Sequence, residues 1–196
     1  MSTGVWPWIV VIIVIILAII VLGVIWRIAM RSRQSERLHE SFGPEYDRTV
    51  SRHRDRDRAE AELLERKDRV DALDIHPLAP ADRSRFADAW RATQARFVDK
   101  PVEATAAADR LVTDLLRVRG YPISEFDQRA DDISVHHPNV VANYRAAHAT
   151  SLASEQGRAS TEDLRAAMLH YRTLFDELLG DSGTLHTQTP ERTEVG

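Results

Sequence analysis

The sequence lacks cysteine altogether, and its 196 residues include only eight glycines. The missing cysteine excludes disulfides and a cysteine nucleophile, although it fits a reducing compartment and a bacterial exported domain equally well. The glycines are scattered, and none stands in the G-x-x-x-x-G-K spacing of a phosphate-binding loop. A G-x-S-x-G nucleophile motif is also missing. These absences favour a non-enzymatic protein with no cofactor and no small-molecule substrate.

Positive charge is scarce away from the N-terminal region. Residues 27–58 carry nine arginines against six acidic residues, whereas residues 59–196 carry 17 basic and 24 acidic residues. Nucleic-acid-binding domains concentrate Lys and Arg on one face. The distal region has the opposite sign of charge, so we expect no nucleic-acid partner.

Polar side chains are missing from one long stretch, VWPWIVVIIVIILAIIVLGVIW (5–26). A helix of this length spans roughly 33 Å, which matches a bilayer hydrocarbon core of about 30 Å. Trp6, Trp8 and Trp26 stand near its ends, where aromatic belts occur. A cleaved signal peptide would need a basic start and a small-x-small site, and the short N-terminal flank 1–4 carries no basic side chain. The sequence therefore predicts an uncleaved transmembrane helix that serves as a passive tether.

Charge predicts the direction in which this helix is inserted. Cytoplasmic flanks of membrane helices carry the excess of Lys and Arg. The C-terminal domain is therefore expected to face the cytoplasm, on a single-pass protein of the cell membrane. The basic side chains that follow the span have two alternative roles: they bind anionic lipid, or they act as a topology signal alone. The arginines that carry this argument follow the span directly and are Arg27, Arg31, Arg33 and Arg37.

A charged segment over residues 27–74 separates the predicted span from the rest of the chain. We expect the membrane helix to continue until Gly43 and Pro44 interrupt it, because proline suits the first position of a new helix. Residues 51–69 then contain 13 charged side chains among 19. Such a segment is typical of a solvated helical stalk. A two-stranded coiled coil is the alternative, although the segment lacks three clean heptads.

Residues 75–180 show the pattern of a small helical bundle. Apolar residues recur at three and four positions, as on one face of a helix, and no segment has the alternation of a strand. Residues 181–196 lack periodicity, so a disordered tail is expected. The predicted fold is all-α, with a transmembrane helix, an extended charged stalk and this bundle. The side chains predicted to share its core are Trp90, Phe97, Leu111, Leu115, Tyr171 and Phe175.

Several residues predict where the helices of the bundle begin and end. Gly120 is expected to end one helix in a left-handed conformation, and Gly180 to end the last. Ser124 and Ser160 are each followed three residues later by Asp, which resembles a helix-opening cap. Pro138 is predicted to lie in the first turn of the helix that continues through NVVANYRAAHATSLAS.

One cluster of potential metal ligands interrupts this pattern. Asp131, Asp132, His136 and His137 lie within seven residues, and His148 follows one helix later. Asp and His are metal ligands, but this spacing matches no established site. Structural roles for these side chains are favoured, and a metal-binding or enzymatic domain built on the cluster is the alternative.

Four segments resemble an uncharacterised bacterial family of small, N-terminally anchored helical proteins. The resemblance covers most of residues 30–180 and implies a membrane-anchored helical domain without an assigned activity or catalytic residue. The sequence thus predicts an adaptor or scaffold whose partners are the lipid bilayer and a further protein. The segments that carry the resemblance are RLHESFGPEYDR (37–48), WRATQARFVDKPVEATAAADRLV (90–112), RGYPISEFDQRADDISVHHPNVV (119–141) and TEDLRAAMLHYRTLFDELL (161–179).

Overall fold

The computed structural model describes the backbone of residues 6–180, and side chains from residue 16 onward except at positions 18, 24, 25, 28, 29, 31 and 32. Over residues 6–180 the chain forms eight α-helices and no strand, which confirms the all-α prediction. The helices are α1 (Trp6–Phe42), α2 (Pro44–His53), α3 (Arg56–Asp71), α4 (Pro80–Arg96), α5 (Pro101–Val118), α6 (Phe126–His136), α7 (Val141–Glu155) and α8 (Thr161–Gly180).

Among the residues that the structure describes, no helix is long and apolar enough to cross a membrane. The predicted span at 5–26 falls largely outside the described side chains, as do those of Trp6, Trp8 and Arg31. The predicted disordered tail at 181–196 lies outside the described residues as well. The membrane helix therefore stays a prediction.

The chain divides into two compact units between Leu63 and Leu64. The break between α1 and α2 lies at Gly43, whose φ is 47°, and Pro44 follows as the first helical residue, as predicted. A second break at Arg54, with φ of 55°, separates α2 from α3. The second half of α3 belongs to the second unit.

Side chains of α1, α2 and α3 contact one another within the first unit. The carboxylate of Glu60 in α3 accepts hydrogen bonds from Ser35 in α1 (2.5 Å), Tyr46 in α2 (2.8 Å) and Arg56 (3.0 Å). Burial opposes ionisation of Glu60, but these donors outweigh it and lower the pKa of the carboxyl. One carboxylate thus links three helices. Apolar side chains buried in this unit are Leu38, Phe42, Tyr46, Ala59 and Leu63.

The core of the second unit lies among α4, α5, α7 and α8, with α8 packed against both α5 and α7. The rings of Trp90 and Phe175 stack with centroids 4.7 Å apart. Leu115 and Tyr171 are fully buried, and the partly buried Phe97 and Leu111 pack against the cluster. The predicted shared core is confirmed.

The ends of the helices test the capping predictions individually. Ser160 and Asp163 form a reciprocal cap: the Asp163 amide donates to Ser160 Oγ (3.2 Å) and the Ser160 amide donates to the Asp163 carboxylate (2.8 Å). Ser124 does not cap, because α6 begins at Phe126 after Glu125. The Pro138 prediction was also wrong: α6 extends to His136, and α7 begins only at Val141.

Gly120 ends α5 in the predicted left-handed conformation, with φ of 94°. Sterics also require a glycine here, since a Cβ atom at this residue would lie 2.1 Å from the backbone oxygen of Asp74. The neighbouring Arg119 is 1% exposed, and its guanidinium donates to the backbone oxygen of Leu178 (3.0 Å) near the end of α8. This corner holds the segment after α3 and the ends of α5 and α8 together.

Candidate functional site

The carboxylate of Asp131, a candidate metal ligand in the alternative interpretation, is paired with two arginines. Arg66 Nη2 lies 3.1 Å from Asp131 Oδ2, and Arg145 Nη2 donates to Asp131 Oδ1 (2.8 Å). The side chain of Arg66 is 2% exposed and that of Asp131 is 17% exposed, so the ion pair is largely buried. Moving this carboxylate away from two guanidinium groups would cost free energy, so Asp131 has a structural role.

Asp132 follows Asp131 in the sequence but forms a different contact. Its Oδ1 accepts two hydrogen bonds from Arg69, at 2.9 and 2.7 Å, and its side chain is 1% exposed. Burial, together with the charge of Asp131, raises the pKa of Asp132 in spite of Arg69. The two carboxylates therefore tie the second half of α3 to α6 instead of sharing a ligand.

The two histidines of the cluster also separate. His136 Nδ1 lies 3.1 Å from the Tyr121 hydroxyl, and the buried His137 lies with Nδ1 3.4 Å from Glu177. His148 stacks on the Phe126 ring at 3.7 Å. Among the described residues, no three His, Asp or Glu side chains are placed to hold a metal ion together.

A different polar group, which the sequence did not single out, lies where α5, α7 and α8 meet. The Tyr171 hydroxyl of α8 donates to Asp109 Oδ1 in α5 (2.8 Å) and lies 2.9 Å from Ser151 Oγ in α7. His148 Nδ1 lies 3.6 Å from the same carboxylate oxygen. Tyr171 thus connects the two helices that flank it.

The electrostatics of this group favour a charged Asp109 beside a neutral Tyr171. Burial is the largest influence on Asp109 and opposes its ionisation, but contacts with His148 and Tyr171 outweigh burial and lower its pKa. Burial and the Asp109 charge raise the pKa of Tyr171, so the phenol keeps its proton. Arg129 adds positive potential, although its own Nε donates to Tyr144 (2.9 Å).

A surface cleft of about 230 Å³ opens above this group, between α5 and α7. It is somewhat smaller than the roughly 300–1,000 Å³ typical of drug-sized ligand sites, so it suits a group the size of one side chain. Its charged lining consists of Asp109 together with the more exposed Arg110 and Glu155. The residues that complete the cleft are Val102, Thr105, Ala106, Ser151 and Ser154.

Sequence reasoning missed this cleft for an identifiable reason. Asp109 and Tyr171 are 62 residues apart, and each lies on a helix that reads as ordinary amphipathic sequence. The one available signal was Asp109 within the otherwise apolar stretch around Ala108, where a carboxylate needs a partner. Within α7, Leu152 is 45% exposed, whereas Ala147 is buried.

Comparison with known proteins does not assign a function to these residues. Comparison with protein-family models, with curated proteins and with solved structures finds no match to the chain. The resemblance to a bacterial family of anchored helical proteins therefore stays a prediction. Any function must be argued from the residues of this chain.

Proposed function

We propose that the chain is a single-pass membrane protein that holds a helical interaction module, residues 64–180, on the cytoplasmic side. The observation that carries this proposal is a run of exposed apolar side chains on α1. Neighbouring residues on a helix point about 100° apart, so such a run faces all directions. Its described members are 50–68% exposed and are Ile16, Leu17, Ile19, Ile20, Val21, Leu22 and Trp26.

Exposure of this kind is unfavourable in water and favourable in lipid. Each Å² of apolar surface moved out of water gains about 25 cal/mol, and contiguous apolar patches mark membrane or protein contacts. Arg27, Arg33 and Arg37 follow on the same helix with exposed side chains. An apolar segment followed by exposed arginines supports insertion with the C-terminal side in the cytoplasm.

The module is proposed to bind rather than to catalyse. The partly buried Asp131 and the buried Asp132 are engaged by arginines, and Ser151 bonds to Tyr171 rather than to a histidine. A nucleophile needs an adjacent base within hydrogen-bond reach. The described arrangement instead supports an adaptor that presents a rigid helical surface to a protein partner.

Two fusions after Gly180 test the topology in a bacterial host. A fluorescent protein there should be bright and membrane-bound after alkaline extraction, whereas alkaline phosphatase at the same site should be inactive in intact cells. Replacing Arg27, Arg31, Arg33 and Arg37 with Asn should randomise insertion. Active phosphatase in the parent would mean that the module is exported, and release by alkaline extraction would mean that α1 packs on protein instead of lipid.

A further inference from the structure

We propose that the cleft between α5 and α7 binds a protonated primary amine, the group carried by the lysine side chain of a partner protein. The inference deepens the proposed function, since it assigns the part of the module that makes a contact. It rests on the direction of the hydrogen bonds in the cleft, on its charge and on its size.

The hydrogen-bond directions follow from counting protons. Tyr171 has one hydroxyl proton and donates it to Asp109, so Ser151 must donate its own proton to Tyr171 for their 2.9 Å contact to be a hydrogen bond. Thr105 Oγ1 donates to the backbone oxygen of Pro101 (2.9 Å). The oxygens of Asp109, Ser151 and Thr105 therefore have only lone pairs left to offer a ligand.

A ligand that satisfies this set must donate hydrogen bonds. A carboxylate or a phosphate ester has only acceptor oxygens and would face Asp109 with like charge. An ammonium group has three donors and no acceptor, which suits a lining whose side-chain oxygens offer only lone pairs. A guanidinium is a planar fork suited to bidentate partners, whereas an ammonium is a compact point charge. The acceptor set therefore favours a primary amine.

The distribution of charge points to the same ligand. Asp109 is the most enclosed charged group of the cleft, with 25% of its side chain exposed. Arg110 and Glu155 are exposed, have opposite signs and offset each other. Arg129 donates its hydrogen bond to Tyr144, and His148 Nδ1 lies 3.6 Å from Asp109 Oδ1, where it forms an ion pair only when the imidazole is protonated. A negative interior remains to attract a cation.

The apolar part of the lining suits the stem of such a group. Val102 is 54% exposed and lines the cleft together with Ala106 on α5. Lysine buries its methylene stem along apolar surface while its charged end finds polar partners. A volume of about 230 Å³ is adequate for one aliphatic amine and small for a larger ligand.

The test is an NMR titration of the full ¹⁵N-labelled chain in detergent micelles with n-butylammonium, and with n-butanol as the uncharged probe of similar shape. Butylammonium should cause saturable shifts at amides of α5 and α7 around the cleft, and butanol should not. Asp109→Asn should weaken binding by about tenfold or more, the usual loss for a hydrogen bond to a charged group. Asp114→Asn on the exposed face of α5 is the matched control and should bind like the parent.

A second variant keeps the test decisive if Asp109→Asn perturbs the fold. Ala106→Leu fills the cleft without changing its charge and should abolish the shifts. A titration with Nα-acetyl-lysine N-methylamide separates the two sources of an amine: binding tighter than butylammonium assigns the site to a protein lysine, and weaker binding assigns it to a free alkylamine. Equal response to butanol, or no saturable shift with any amine, would overturn the site while leaving the topology result unaffected.

Discussion

Arg66 and Asp131 form a buried ion pair with Nη2 and Oδ2 3.1 Å apart, and Arg145 contacts the other oxygen of the same carboxylate. The pair connects the second half of α3 to α6, and the Arg145 contact extends the connection to α7. A side chain that reads as an ordinary charge in a charged segment is therefore part of the interior.

Arg66→Met should destabilise the bundle by about 3 kcal/mol, the lower end of the range for breaking a buried pair, because Asp131 keeps Arg145. Urea unfolding of the full chain in detergent, followed by circular dichroism, measures the change. Arg117→Met is the control, since Arg117 and Asp114 form an exposed pair and the loss should be at most about 1 kcal/mol. Equal losses would show that Arg66 contributes no more than a surface charge.

Asp109 and Asp132 should give opposite pH dependence. The pKa of Asp109 is lowered, so its ionised form contributes stability above the unfolded pKa that is lost as pH falls through the folded pKa. The pKa of Asp132 is raised, so its contribution is present below the unfolded pKa and is lost as pH rises through the folded pKa. Asp109→Asn should therefore flatten the acid loss of stability, and Asp132→Asn should gain stability relative to the parent as pH rises above the usual pKa of an aspartate. Melting curves across mildly acidic to neutral pH report both signs, and parallel profiles for the two variants would contradict them.

Gly120→Ala should cost more than Gly157→Ala, although both glycines have positive φ. The left-handed conformation costs a non-glycine residue roughly 1–2 kcal/mol at either position. Only at Gly120 does the added Cβ meet backbone, 2.1 Å from the Asp74 oxygen, whereas nothing lies within 4 Å at Gly157. The difference between the unfolding free energies of the two variants measures the cost of the steric clash with Asp74. Equal values would contradict the position of the Asp74 backbone oxygen beside Gly120.

Trp90→Ala should destabilise the module by about 3–5 kcal/mol, because it removes a buried ring stacked on Phe175. Leu169→Ala in α8 is the control, since Leu169 is 61% exposed and such changes usually stay within about 0.5 kcal/mol. A thermal melt of each variant makes the comparison. A Trp90 variant that melts with the parent would put this ring on the surface.

Chelation should leave the melting temperature unchanged, because Asp131 and Asp132 are engaged by arginines and the histidines beside them contact Tyr121 and Glu177. A structural metal would instead contribute to the free energy of folding. Metal analysis after dialysis checks this independently. Stoichiometric zinc or iron that disappears in Asp132→Asn would restore the metal-binding alternative.

Local patterns predicted part of the local structure, although the Ser124 and Pro138 predictions failed. The Ser160 cap, the left-handed Gly120 and the stripe of α8 depend on residues within a few positions of each other, where helix geometry fixes the spacing. The contacts that were missed join distant positions: Arg69 and Asp132 are 63 residues apart. No periodicity shows which of 26 Lys and Arg side chains will meet a given carboxylate. The same limitation hid the cleft above Asp109 and Tyr171.

The carboxylate of Glu60 has a mechanical consequence. Because it accepts hydrogen bonds from Ser35 on α1, Tyr46 on α2 and Arg56 on α3, it restrains these three helix segments relative to one another. A rotation or a piston-like displacement of α1 would be transmitted to α2 and to the beginning of α3. Glu60→Gln would weaken these hydrogen bonds, and α1, α2 and the beginning of α3 would then move more independently of one another.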